Sequence, residues 1–292
     1  MRVSVVMAAY NAEAYIREAV SSVLAQTHRG WELLVVDDGS DDSTVDIVES
    51  FRDDRIRVLS DRHVGVLGQV RNRGLAEAVG EIVAFLDADD VWEPTKLERQ
   101  LAVMADRAEV GVVHTAAYLI QDGTSRVAKV RDVSGTATFR RLLDENSIYS
   151  SSVAIRRTLL ERYGQFDPDP AIYGAPDYDL WLKLAPRTTF AFISAPLTGY
   201  RVHQGQMSGA VGPMERGSLL ALSHAAARDP DLIRANRSAY ARAVGMRRCR
   251  AGMPDRGRRQ LVAALLLAPW ELKTWAWLAR ACRPQGRARA SL

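Results

Sequence analysis

The apolar positions of the first hundred residues fall into short blocks separated by helical stretches. Val3 to Ala8 is a β-branched run without alternation, the pattern of a strand buried on both faces. Asn11 then stands where a helix cap belongs, ahead of Ile16, Val20, Val23, Leu24 and Thr27 at helical spacing. Glu32 to Val36 reads as a second buried strand that stops at Asp37-Asp38-Gly39-Ser40. Ser43 to Phe51 predicts a short helix, Ile56 to Leu59 a third strand, and Gly68 to Val79 another helix. Glu81 to Leu86 is a fourth strand running into Asp87-Ala88-Asp89-Asp90, and Pro94 to Met104 a helix with Pro near its first turn. This βαβα alternation predicts an α/β fold, a mostly parallel sheet with helices on both faces.

The pattern shortens between Val110 and about Val130 into strands and turns. Ser150 to Ile155 predicts a strand, Thr158 to Tyr163 a helix, and Asp177 to Leu184 a helix carrying Trp181. Phe190 to Ile193 and Leu197 to Val202 are two further strands. Beyond Pro213 the chain reads as wholly helical, over 214–228, 231–249, 254–268 and 270–282. The expected organisation is therefore an α/β domain over 1–212, with halves at 1–105 and 106–212, followed by an all-helical segment over 213–292.

Composition narrows the class. At 292 residues, 47% hydrophobic and 25% charged, the chain is neither disordered, fibrous nor a disulfide scaffold. Its net charge of +4 is unevenly placed. From Arg234 onward fourteen Lys/Arg face only Asp255 and Glu271, a net of +12, so the first 233 residues carry 25 basic against 33 acidic side chains, a net of −8. Cys249 and Cys282 are too few for a disulfide framework, which fits a reducing compartment. The N-terminus turns polar after a five-residue apolar run, unlike a signal peptide, and the longest apolar run, Leu261 to Trp270, is too short to span a bilayer. A soluble, cytoplasmic protein, or one peripheral on the inner face of the membrane, is expected.

In open α/β sheets ligands bind beyond the carboxyl ends of the strands. Here the second and fourth strands both end in paired aspartates. Asp87 and Asp89, at i and i+2, point the same way if the chain stays extended, and could share one hard cation such as Mg²⁺ or Mn²⁺. Each feature alone has a plainer reading: a turn or cap for Asp87-Ala88-Asp89, an Asx turn for Asp37-Asp38-Gly39-Ser40, a solvated charge for Arg71-Asn72. Their recurrence on neighbouring βα units is hard to explain as packing.

The ordered series VVMAAYN, AVSSVLAQT, ELLVVDDGSDDST and VRNRGLAEAVGEIVAFLDADDVW resembles the inverting family 2 glycosyltransferases of the GT-A fold. The match is dense over about residues 3–100 and looser through SSVAIRRTLLERYGQFD, PDYDLWLKLA and YRVHQGQMS, to about residue 208. The resemblance implies a Rossmann-like sheet and a nucleoside-diphosphate sugar donor. It implies that Ala8 and Tyr10 line the nucleotide, Tyr10 against the base, and that Asp38 accepts a hydrogen bond from that base. A UDP-sugar is favoured, although dTDP presents the same base edge and a GDP-sugar stays open. Arg71 would meet the diphosphate, Asp87 with Ala88 the ribose, and Asp89 the Mn²⁺ or Mg²⁺ that bridges the phosphates, with His203 beside the metal. Asp177 would be the base that deprotonates the acceptor hydroxyl. The family usually carries Glu-Asp there, whereas this chain reads Pro176-Asp177; an N-cap role for Asp177 stays open, and Asp179 is the weaker candidate, more in keeping with a solvated helix position. The Gln/Arg-x-x-Arg-Trp motif of processive members is not in the sequence, so a single addition to a saccharide or lipid-linked acceptor is expected, in bacterial cell-surface polysaccharide or glycolipid synthesis.

Arg247, Arg248, Arg250, Arg256, Arg258 and Arg259 sit beside Leu261 to Leu267 and Trp270, Trp275 and Trp277. Such helices can lie on an anionic membrane surface, or cap the body with their arginines solvated or paired to the acidic domain. No nucleic-acid partner is expected, because the aromatics track apolar faces rather than interleaving with the basic residues. Two rival readings remain. Asp87-Ala88-Asp89-Asp90-Val91 also fits the haloacid-dehalogenase phosphohydrolases, with Asp87 as nucleophile, although that motif belongs on a first strand. A non-catalytic sugar-nucleotide binder is the other. A dinucleotide dehydrogenase is excluded because no G-x-G-x-x-G follows the first strand, and a sugar nucleotidyltransferase because Ala8-Ala9-Tyr10-Asn11 is no Gly-rich basic loop.

Overall fold

Strand β1 (Val3–Ala9) is flanked on one side by β2 (Trp31–Asp37) and on the other by β4 (Ile82–Phe85), with β3 (Ile56–Ser60) beyond β2. All four run parallel. Side chains alternate across the sheet. On one face Val3, Val5 and Met7 pack with Ile16, Val20 and Val23 of α1 (Ile16–Leu24) and Leu97 and Leu101 of α4 (Lys96–Asp106). On the other, Val6, Leu34 and Val36 pack with Val70 and Leu75 of α3 (Leu67–Glu77). The short helix α2 (Thr44–Glu49) links β2 to β3. The structure, a computed structural model, describes residues 1–121, 123–128, 132–135 and 138–282; the end of the expected 110–130 stretch, at Val130, and the expected helical segment beyond 282 lie outside them.

Helix α3 approaches the sheet through Gly74. A Cβ there would stand 2.6 Å from Val6 Cγ1 and 2.9 Å from Val36 Cγ2, both β-branched and stiff. Gly74→Ala is expected to lose about 1–3 kcal/mol by overpacking despite its better helix propensity, read as a lower denaturant midpoint at unchanged slope.

The sheet continues as a mixed one. β8 (Val153–Arg156) runs antiparallel to β4, β6 (Val110–Gln121) antiparallel to β8, and β9 (Thr189–Arg201) parallel to β6. β5 (Val91–Trp92) closes the far edge against β9, and β7 (Thr124–Val127) folds back on β6. The predicted strands 190–193 and 197–202 are thus one long strand. It is interrupted in register around Pro196, opposite Ala116, where proline has no N–H for the ladder. Asn11 does not cap α1, which begins at Ile16 after Tyr15. Asn11 sits instead in the left-handed region (φ 46°), donating its N–H to Ser40 Oγ and accepting from the Asp41 N–H. It ties the ends of β1 and β2 together.

After α5 (Thr138–Asp144), α6 (Arg157–Tyr163) and α7 (Pro176–Leu184), the chain is helical from Val211. α8 (Val211–Arg228) packs on α7. The predicted helix 231–249 is divided at Asn236 into α9 (Pro230–Ala235) and α10 (Arg237–Arg250), and α10 packs on α5, α8 and α11 (Pro254–Leu267). α12 (Leu272–Ala281) follows. Part of the basic excess serves this packing. Arg242, 2% exposed, bridges Asp144 and Glu271, and Arg247 donates to the Tyr178 hydroxyl at 2.9 Å while lying over its ring. These helices cap the body with paired arginines.

Candidate active site

A cavity of about 600 Å³ opens beyond the carboxyl ends of β1 and β4, where parallel-sheet geometry directs ligands. It is lined by Ala8, Tyr10, Arg71, Asp87, Ala88, Asp89, Asp177 and His203, so eight of the nine predicted site residues meet in one place. They come from the end of β1, helix α3, the turn after β4, the first turn of α7 and the segment after β9.

Arg71 is almost completely buried, held over the Phe166 ring, and its Nη2 donates to Asp87 Oδ1 at 2.5 Å. The pair fixes a guanidinium at the cavity floor. Asp87 to Asp90 does not stay extended: the Asp90 N–H donates to the Asp87 carbonyl at 3.0 Å and closes a turn. Both Asp87 and Asp89 still line the cavity, because each carboxylate is anchored separately, one by Arg71 and the other by His203. Asp90 points into the protein. Its carboxylate accepts from the Ser151 hydroxyl and the Arg201 N–H, while Ser151 Oγ also accepts from the Asp87 N–H at 3.0 Å. Ser151 therefore braces both ends of the turn.

Burial raises the Asp89 carboxyl above its ordinary range, the Asp87 charge adds to this, and His203 opposes it. Asp90 is pushed up further, by burial first and then by Asp89 and Asp87. Three crowded carboxyls of this kind favour a cation. His203 Nδ1 lies 2.9 Å from the Gln204 carbonyl, which can only accept, so Nδ1 carries the proton. Nε2 lies 3.0 Å from Asp89 Oδ2. A carboxylate oxygen and an imidazole nitrogen 3.0 Å apart, with Asp87 adjacent, are a donor set that fits a hard divalent ion such as Mn²⁺ or Mg²⁺.

Asp177 stands at the start of α7, half-buried, with Oδ1 accepting from the adjacent Tyr178 N–H at 2.7 Å. Burial raises its pKa, opposed most by Arg71 and by the Tyr178 N–H, while Asp87 adds to the rise and Asn146 lowers it. The structure thus gives the side chain a cap-like bond and a place in the cavity wall together. Asp179 has zero exposure and lies outside the cavity, so it is not the solvated helix residue the sequence led one to expect. Arg228, Lys183 and His224 surround it, and His224 also meets Asp167. With two full cations on Asp179, this cluster is an ion-pair joint between α7 and α8.

Asp38 is the predicted residue that does not reach the cavity. Its carboxylate accepts from the Val64 and Gly65 N–H groups, both at 2.9 Å, and pairs with His63. Gly39, at φ 77°, has a Cβ position only 2.7 Å from the His63 nitrogen, so the turn and the 63–65 loop close on each other. In this arrangement Asp38 braces the 63–65 loop. That loop stacks the His63 ring on Tyr10, with centroids 4.1 Å apart. Asn146, Tyr149 and Ser151 were not foreseen as site residues. The first two line the cavity from the irregular stretch between α5 and β8. Only a run of small polar residues ahead of a strand marks that stretch in the sequence.

A family model described as Glycosyl transferase family 2 matches residues 4–164, more than half of the chain. The chain belongs to glycosyl transferase family 2. This glycosyltransferase is 35% identical to WfgD of Escherichia coli, named UDP-Glc:alpha-D-GlcNAc-diphosphoundecaprenol beta-1,3-glucosyltransferase, over 70% of its own length and 79% of the relative's. Its fold is similar to S. aureus TarS 1–349, solved with UDP-GlcNAc, at a TM-score of 0.66 and 21% identity over 96% of this chain and 89% of the other. The mannosyltransferase PcManGT of Pyrobaculum calidifontis, solved with GDP-Man and Mn²⁺, aligns at a TM-score of 0.62 and 20% identity, covering 96% and 85%. These likenesses establish the GT-A fold of the glycosyltransferase. With family and fold fixed, and Asp87 held by Arg71 after a fourth strand rather than a first, the phosphohydrolase reading falls away. No helix among the described residues is long and apolar enough to cross a membrane.

Proposed function

We propose that this glycosyltransferase moves one sugar, with inversion and with a divalent metal, from a UDP-sugar to a hydroxyl of a saccharide carried on a lipid, in cell-surface polysaccharide or glycolipid synthesis. The observation that carries the reading is the meeting of the Arg71–Asp87 pair, the Asp89–His203 pair and Asp177 around one cavity. The donor half, 1–105, supplies the first two acidic groups and Arg71; the acceptor half, 106–212, supplies Asp177 and His203. The names of WfgD and TarS, with UDP-Glc and UDP-GlcNAc, support a UDP donor, and the former's diphosphoundecaprenol-linked acceptor supports a lipid carrier.

Arg71 would take the diphosphate, a guanidinium matching phosphate oxygens in a water-poor floor. Asp89 and His203, with Asp87, would hold Mn²⁺ or Mg²⁺, which when bound stabilises the charge on the departing diphosphate. Tyr10, exposed at the rim and already stacked on His63, offers its ring to a base, and the small side chains of Ala8 and Ala88 leave room for the nucleotide. The acceptor oxygen attacks the anomeric carbon from the side opposite the diphosphate. The carbon–oxygen bond to the diphosphate breaks with its electron pair leaving on the phosphate, and the acceptor proton passes to Asp177.

A panel of UDP, dTDP, GDP and ADP, each with and without Mn²⁺, tests the donor. At a hundredfold excess over Kd a ligand stabilises by about 2.7 kcal/mol, a shift of several degrees in Tm. Manganese-dependent stabilisation by UDP is expected. A response to GDP alone would move the donor to a GDP-sugar, and no response in folded protein would remove the donor reading.

A further inference from the structure

The outer corner between α11 and α12 carries apolar side chains that the body does not cover. Leu261, Ala264 and Leu265 turn inward toward α10, which leaves the opposite helical face outward. On that face and in the corner that follows, Leu266 is 83% exposed, Trp270 76%, Leu272 81% and Trp275 51%. Four large apolar groups at one corner exceed the scattered exposure of an ordinary surface. Basic side chains edge them. Arg259 and Arg256, exposed about two and three turns before Leu266 on α11, have no acidic partner among the described residues, unlike Arg242. The sequence after α12 adds Arg283, Arg287 and Arg289 and no acid.

We propose that the α11–α12 corner docks this protein on an anionic lipid bilayer. Tryptophan and leucine would enter the headgroup boundary while Arg256 and Arg259 meet lipid phosphates, the division of labour of interfacial helices. The corner is tied to the site. Lys273 bonds Asp144 at 2.9 Å and Arg140 bonds Glu271 at 2.6 Å, and Asp144 runs directly into Glu145 to Tyr149 of the cavity wall. Docking there would bring the cavity-bearing body to the surface that displays a lipid-carried saccharide. That purpose rests on the acceptor reading above; the docking itself is measured without donor or acceptor.

The test is sedimentation of the full chain with vesicles of phosphatidylglycerol and phosphatidylcholine (1:1) or of phosphatidylcholine alone. Binding to the anionic vesicles, weakened by salt, with a blue shift of tryptophan emission, is the expected result. Arg256→Ala/Arg259→Ala is expected to weaken it about 25-fold, at roughly fivefold per basic residue near the surface. Trp270→Ser/Leu272→Ser is expected to weaken binding and to shrink the emission shift. Both doubles change exposed residues only, and an unchanged Tm together with an unchanged nucleotide-induced Tm shift identifies a folded chain with an intact donor site. No sedimentation with anionic vesicles, or sedimentation indifferent to both doubles, overturns the proposal. Concentration-dependent dimers that Trp270→Ser/Leu272→Ser dissolves, without vesicle binding, overturn it in favour of a second copy of the chain. A missing nucleotide shift in the wild type would count against the donor reading and leave this result standing.

Discussion

Asp177→Asn is expected to fold, to bind nucleotide with metal as the wild type does, and to transfer sugar about 10²–10⁴-fold more slowly. The amide keeps the shape, and its oxygen can still accept from the Tyr178 N–H, so α7 retains its first turn. What it loses is the ability to take a proton from the acceptor. Turnover of the variant equal to that of wild type would reduce Asp177 to a cap and reopen the choice of base; no turnover in either would favour a sugar-nucleotide binder. The pH profile separates a base from a cap further. Burial raises the Asp177 pKa, with Arg71 and the Tyr178 N–H opposing and Asp87 reinforcing. A base must be deprotonated to work, so kcat should climb with pH through an acid limb above the ordinary aspartate value of about 4 and level off beyond it. For stability the sign is opposite: a raised folded pKa favours the native state while the group is protonated, and that contribution is lost as pH rises through the raised value.

Asp89→Ala is expected to abolish the manganese-dependent part of the nucleotide-induced Tm shift and to cut transfer by about three orders of magnitude, the several kcal/mol a metal contributes at a departing phosphate. The unliganded Tm should not fall, since removing one carboxylate relieves the repulsion that raises the Asp90 pKa. A full manganese-dependent shift in this variant would move the metal elsewhere. His203→Ala serves as the companion, with weaker metal dependence and the Asp89 carboxylate still present.

Much of the fold could be read because its first half is built from local rules. Buried parallel strands need uninterrupted apolar runs, and the crossover helices need one apolar stripe each, so β1 to β4 and their helices announce themselves. The second half was less legible for a physical reason. β6 and β9 are long strands whose register breaks around Pro196, and a break in register reads as two short strands. The helix over 231–249 was likewise divided at Asn236, whose side chain bonds back to the Leu232 carbonyl.

The sequence by itself determined the α/β alternation, the placing of carboxylates at the ends of the second and fourth strands, and, through an ordered set of motifs, the family. Those features are written in residue order, and strand geometry carries them to one edge of the sheet. Only the tertiary structure decided which of the carboxylates share a cavity. Asp38 and Asp87 follow the two strands that flank β1, yet Asp38 is taken by the N–H groups of Val64 and Gly65 while Asp87 is held by Arg71 inside the site. The tertiary structure also set Asn146 and Tyr149 across from the donor residues and divided the C-terminal arginines into buried clamps and unpaired surface charges. These outcomes depend on contacts between residues far apart in the chain, and no local pattern of polarity encodes them.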